Sequence, residues 1–180
     1  MRILVTGGVR SGKSTHAEDL IGGAPATYVA TGTPPDREQD PDWAARIDAH
    51  RDRRPDAWGT LETQDLAGVI ASAGDPLLVD CLGTWLTAII DADDAWEHDS
   101  DAVHDLVLAR TDEVVEALNR CEQDVVLVTN EVGMSVHPPT PLGRMFVEVA
   151  GWTHQRVARA ADEIYLAVLG TTLKIKPPPA

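Results

Sequence analysis

The stretch Gly7-Gly8-Val9-Arg10-Ser11-Gly12-Lys13-Ser14 constrains this chain more than any other part of it. It fits the pattern G-x-x-x-x-G-K-[ST] of phosphate-binding loops. Its flanks agree: Arg2-Ile3-Leu4-Val5-Thr6 reads as a buried strand, and Ser14 to Ile21 reads as the helix that follows. Glycines let the backbone fold back so that successive N–H groups point at phosphate oxygens, and the helix N-terminus adds its positive end. In such a loop Lys13 reaches the β- and γ-phosphates, and the Ser14 hydroxyl is placed to ligate Mg²⁺.

Lysine usage supports this. The chain has three lysines, Lys13, Lys174 and Lys176, against twelve arginines, and one of the three stands where a compact ammonium suits phosphate. The net charge of −14 argues against a nucleic-acid partner, which would need clustered basic side chains. Neither a long apolar run nor a charged-then-apolar leader is visible, so no membrane insertion and no signal peptide are expected. Cys81 and Cys121 form no disulfide framework, which suits a reducing cytoplasm. At 180 residues, 43% of them hydrophobic, a single domain spanning 1–180 is expected.

Apolar runs alternate with helical patterns, which points to α/β architecture with a mainly parallel sheet. Further strands are expected at Thr27–Thr31, Trp58–Thr63, Leu77–Cys81 and Val125–Thr129. Ile164–Val168 and Leu173–Ile175 read as closing strands joined by a Gly-Thr-Thr turn. Helices are expected at Asp42–Arg53, with Trp43, Ala44 and Ile47 on the apolar side, and at Leu66–Ala71 and Gly83–Ile90. Two longer ones follow, around Val103–Leu118 and from Leu142 towards Ala161. Pro34 to Pro41 reads as a mobile loop, Asp91 to Asp101 as a solvated acidic loop, and Pro177 to Ala180 as a frayed tail.

Three acids and bases carry possible chemistry. Asp80 ends an apolar strand, where it either holds Mg²⁺ beside a phosphate loop or caps the next helix. His50 lies on a charged helix among Asp48, Arg51, Asp52, Arg53 and Arg54. It is either a solvated side chain or, among arginines that hold phosphate, a nucleophile towards phosphorus. Glu131 follows a strand end and either orients an accepting hydroxyl or bonds local backbone.

Five segments, in order along nearly the whole length, resemble one family. They are Ile3–Glu18 (ILVTGGVRSGKSTHAE), Tyr28–Thr31 (YVAT), Ala44–Pro55 (AARIDAHRDRRP), Val126–Met134 (VLVTNEVGM), and Ala150–Lys176 with its AADE and closing LKIK. The family is the bifunctional adenosylcobinamide kinase/adenosylcobinamide-phosphate guanylyltransferases of cobalamin biosynthesis. The resemblance implies a P-loop NTPase fold of the RecA-like type, three-layered, with a C-terminal antiparallel strand. It implies that His50 takes up GMP from GTP covalently and that Gly7 to Ser14 bind nucleotide phosphate. Ala30, Thr31, Gly32, Arg51, Asp52, Arg53, Arg54, Glu62 and Asp80 are implied as further nucleotide contacts. ATP and GTP are the implied nucleotide substrates, with Mg²⁺. Adenosylcobinamide and its phosphate are the implied acceptors, and a homotrimer the implied form.

Two other function classes compete. A regulatory GTP switch would use an N-K-x-D loop for guanine, which Thr129-Asn130-Glu131-Val132 does not supply. A small-molecule kinase without the guanylyl step is the stronger rival, since the phosphate loop alone would permit it, and His50 is what separates it from the bifunctional reading.

Overall fold

The computed structural model describes residues 1–33 and 40–175, apart from the side chains of Trp43 and Arg46. Strand β1 (Arg2–Gly7) leads into helix α1 (Lys13–Ile21), then β2 (Ala26–Ala30), α2 (Pro41–Arg51) and β3 (Trp58–Glu62). Next come α3 (Leu66–Ala71), β4 (Leu77–Asp80), α4 (Leu82–Ala92) and α5 (Ser100–Arg120). The chain closes with β5 (Val125–Asn130), α6 (Pro141–Ala160), β6 (Glu163–Val168) and β7 (Thr171–Ile175).

The strands form one sheet in the order β3-β2-β4-β5-β1-β6-β7. Every pairing is parallel except β6 with β7, which is antiparallel. Strand β5 therefore separates β1, with its phosphate loop, from β4, which ends in Asp80. The register sets Gly7 opposite Asn130 and Asp80 opposite Val128, so three strand tips reach the same sheet edge. Helices cover both faces of the sheet, which is why β4 and β5 read as near-continuous apolar runs rather than alternating ones.

Alternate residues of each strand feed two cores. Leu4, Val79, Val125 and Leu127 pack with α3, α4, α5 and α6 on one face. Ile3, Val5, Leu78, Val126 and Val128 pack with Ala17 of α1 on the other. The P-loop α/β architecture with a closing antiparallel strand is thus the one expected. Among the described residues no helix is long and apolar enough to cross a membrane.

Three expectations need correction. The acidic stretch from Asp91 is not merely a solvated loop: α4 runs on to Ala92, and a 3-10 turn spans Ala95–Glu97. Ala95 is buried and the Trp96 ring stacks on Phe146 at 6.5 Å, so two apolar residues anchor an otherwise acidic segment. The closing turn is Leu169-Gly170 rather than Gly-Thr-Thr, with φ of 53° and 75°. Two positive φ angles match the twist of a two-residue hairpin. Helix α2 stops at Arg51, before the expected Arg53. Most of the Pro34–Pro41 loop, the side chain of Trp43, Lys176 and the tail from Pro177 lie outside the described residues.

Candidate active site

The phosphate loop is shaped by backbone that other side chains could not follow. A Cβ on Gly7 would come within 2.5 Å of the Ala167 carbonyl oxygen and 2.6 Å of Ser11 Oγ. Gly12 has φ of 94°, the left-handed region that glycine enters without steric cost, and caps the start of α1. Arg10 also turns left-handed, at φ of 57°. Gly8, Val9 and Arg10 form the exposed rim, while Ser11 and Lys13 are buried. Lys13 is 5% exposed, and its Nζ donates to the Gly8 carbonyl at 3.3 Å. The ammonium is thus folded over the loop. Ser14, half-buried, follows it in the first turn of α1.

The last turn of α2 places His50 and Arg51 at the helix C-terminus, where the dipole favours cationic side chains. His50 Nδ1 lies 3.8 Å from Asp80 Oδ2 and 4.0 Å from Glu18 Oε1. Arg53 Nη2 is 3.2 Å from the same nitrogen and 3.2 Å from Glu18 Oε1. Asp80 Oδ2 is buried and has no hydrogen-bond partner among the described residues. That orphaned hard oxygen fits a divalent cation, as does the Ser14 hydroxyl at the cleft wall. A cleft of about 890 Å³ joins the two halves: residues 10–15 of the loop form one wall, and Ala45, Ala49, His50 and Arg53 another.

Other expected contacts behave differently. Thr31 is fully buried, with its hydroxyl 2.7 Å from the Cys81 carbonyl and 2.8 Å from Thr84 Oγ1, so that side chain holds β2 to α4. Its neighbours Ala30 and Gly32 are half-buried, and the Ala30 carbonyl accepts from Thr63 N–H at 3.0 Å. Arg54 lies over the Tyr28 ring, 3.3 Å from its centroid, and donates to Thr60 Oγ1 at 3.1 Å. Burial, and secondarily the Asp80 charge, push the Tyr28 phenol far above its ordinary range. Arg51 and Glu62 face each other at 3.8 Å on the exposed rim, and Asp52 is exposed beside them. Glu131 takes the local role: its Oε1 accepts from Gly133 N–H at 2.9 Å, and its own N–H donates to the Gly7 carbonyl at 3.0 Å.

Two residues escaped the sequence reading. Glu18 stands four positions after Ser14, hence on the same face of α1, and that spacing was the available signal. His154, mid-helix in α6, gave none. Its Nε2 lies 2.6 Å from Thr129 Oγ1, and burial lowers its pKa despite the opposing charge of Glu131.

The family described as cobinamide kinase / cobinamide phosphate guanyltransferase matches residues 3–175. The bifunctional adenosylcobalamin biosynthesis protein CobU of Salmonella typhimurium is 42% identical over 185 residues, covering 98% of this chain and all of that protein. CobU of Escherichia coli is 42% identical over 187 residues, with 98% and 100% covered. CobP of Pseudomonas aeruginosa is 37% identical over 185 residues, with 99% of each chain covered. On a match that spans both halves of the cleft, the chain belongs to the cobinamide kinase / cobinamide phosphate guanyltransferase family.

Proposed function

We propose that this one cleft performs both reactions of the family, with the phosphate loop holding the nucleotide and His50 carrying GMP. The observation that carries the proposal is that loop residues and His50 line the same cleft. In the first reaction the hydroxyl of the aminopropanol arm of adenosylcobinamide attacks the γ-phosphorus of ATP or GTP, and the nucleoside diphosphate leaves. Lys13 and the loop N–H groups position the triphosphate and stabilise the charge spread over it. Ser14 and Asp80 are the residues that would hold Mg²⁺, which would supply further charge neutralisation at the phosphates.

In the second reaction an imidazole nitrogen of His50 attacks the α-phosphorus of GTP and pyrophosphate leaves. The phosphate of adenosylcobinamide phosphate then attacks the His50–GMP phosphorus, giving adenosylcobinamide-GDP and restoring the imidazole. Covalent catalysis divides one difficult displacement into two easier ones. Arg10 and Arg53 sit on opposite walls of the cleft, where bidentate contacts would grip a phosphate chain between them. The proposal extends to a single domain, on length and composition, to a cytoplasmic location, on cysteine usage, and to a homotrimer, on family resemblance.

Product analysis tests it. With adenosylcobinamide and ATP, mass spectrometry should show the monophosphate; added GTP should convert it to the GDP derivative. His50→Ala should stop at the monophosphate. Formation of the GDP derivative by that variant would contradict the role given to His50.

A further inference from the structure

Among the described residues, the Arg53 guanidinium at 3.2 Å, the Asp80 carboxylate at 3.8 Å and the Glu18 carboxylate at 4.0 Å converge on one atom, Nδ1 of His50. Both carboxylates are largely buried, at 11% and 13% side-chain exposure. From this we propose that Glu18 is a positioning residue that accepts the Nδ1–H of His50, leaving Nε2 as the attacking atom. We include Arg53 as the group that ties this arrangement to triphosphate binding. The inference rests on the reading that His50 carries GMP.

A guanidinium can only donate, so Arg53 in contact with Nδ1 makes that nitrogen the acceptor and puts the ring proton on Nε2. A ring in that tautomer offers no lone pair from Nε2. Phosphate is the better partner for arginine, because it accepts two parallel hydrogen bonds and carries full charge. Arg53 lines the cleft that contains Lys13 and Ser14, so a triphosphate held there competes for its guanidinium. When Arg53 turns to phosphate, Glu18 loses its 3.2 Å cationic partner. That need is met by an Nδ1–H on His50, reached by a tautomer exchange through solvent.

The Nε2 lone pair forms the bond to the α-phosphorus while the bond to the bridging oxygen breaks, and its electron pair leaves with pyrophosphate. The ring becomes a phosphorylated imidazolium whose Nδ1–H faces the Glu18 carboxylate. Its charge stabilises the cation as it forms, as an orienting carboxylate does for histidine in other nucleophilic sites.

Glu18→Gln is the discriminating variant, because it keeps the side-chain shape and leaves Asp80 in place. Single-turnover labelling with α-³²P GTP should show adduct formation slowed at least about tenfold at saturating GTP, with KM changed by less than about threefold. Phosphorylation of adenosylcobinamide should fall much less. In ¹⁵N-histidine protein denatured after guanylylation, NMR should place GMP on Nε2; that result uses the unmodified sequence and does not depend on how the variant folds. Adduct formation at the unmodified rate in Glu18→Gln, an equal fall in both reactions, or GMP on Nδ1 would overturn the inference. Absence of any adduct in the unmodified protein would instead overturn the His50 reading beneath it.

Discussion

The backbone N–H of Gly170 donates to the carbonyl of Ser11 at 3.0 Å, which ties the closing hairpin to the phosphate loop. A Cβ added at Gly12 would lie 3.2 Å from Gly170 Cα, so the two backbones are in close contact at that point. The last strands of the chain thereby brace a loop near its start, and loop shape becomes a property of the whole sheet.

Gly12→Ala should therefore fail twice. Its φ of 94° strains any residue with a Cβ, costing about 1 kcal/mol or more, and the contact with Gly170 pushes the loop away from its brace. Gly22→Ala meets a positive φ of 75° with open space around it. Urea unfolding should show both variants destabilised, whereas nucleotide titration should show weakened binding only for Gly12→Ala.

The alternation of strands and helices, the mainly parallel sheet and the phosphate loop were legible in the sequence because each rests on local pattern. Glycine spacing reports backbone geometry, and apolar runs such as Leu77–Val79 report burial on two faces. What was illegible depends on contacts between distant segments. The resemblance implies a nucleotide contact at Thr31, and the sequence does not show that its hydroxyl meets the Cys81 carbonyl and Thr84. The acidic residues from Asp91 hid the buried Ala95 and the Trp96 stack, since charge dominates the composition there. Glu18 gained meaning only once α1 and α2 were seen to bring it to His50.

A pH effect on stability should trace to His154. Burial lowers its pKa, so the folded protein keeps it neutral while the unfolded chain takes up a proton below the ordinary value of about 6.5. The unfolded state then binds more protons, and stability rises with pH. The contribution is complete above about pH 6.5 and is lost as pH falls towards the lower folded value. Urea midpoints at pH 7.5 and 5.5 should differ less in His154→Gln than in the unmodified protein. An identical difference in both would remove His154 from the explanation.

The two thiols should differ in reactivity. Cys81 is buried, and burial pushes its pKa up, which lowers the population of the reactive thiolate. Cys121 is only half-buried, at the C-terminal end of α5. Thiol-specific labelling of the native protein should modify Cys121 first, with Cys81 protected until urea unfolds the chain. Rapid labelling of Cys81 in the native state would contradict the packing at the β4–α4 junction.

The most direct measurement concerns His50 itself. Incubation with Mg²⁺ and GTP labelled on the α-phosphorus, followed by denaturation and proteolysis, locates any transferred GMP. The expected result is an acid-labile, alkali-stable label on the peptide that contains His50, absent in His50→Ala and not formed from ATP as readily as from GTP. A protein that carries adenosylcobinamide phosphate to its GDP derivative with no label on that peptide would contradict His50 as the carrier.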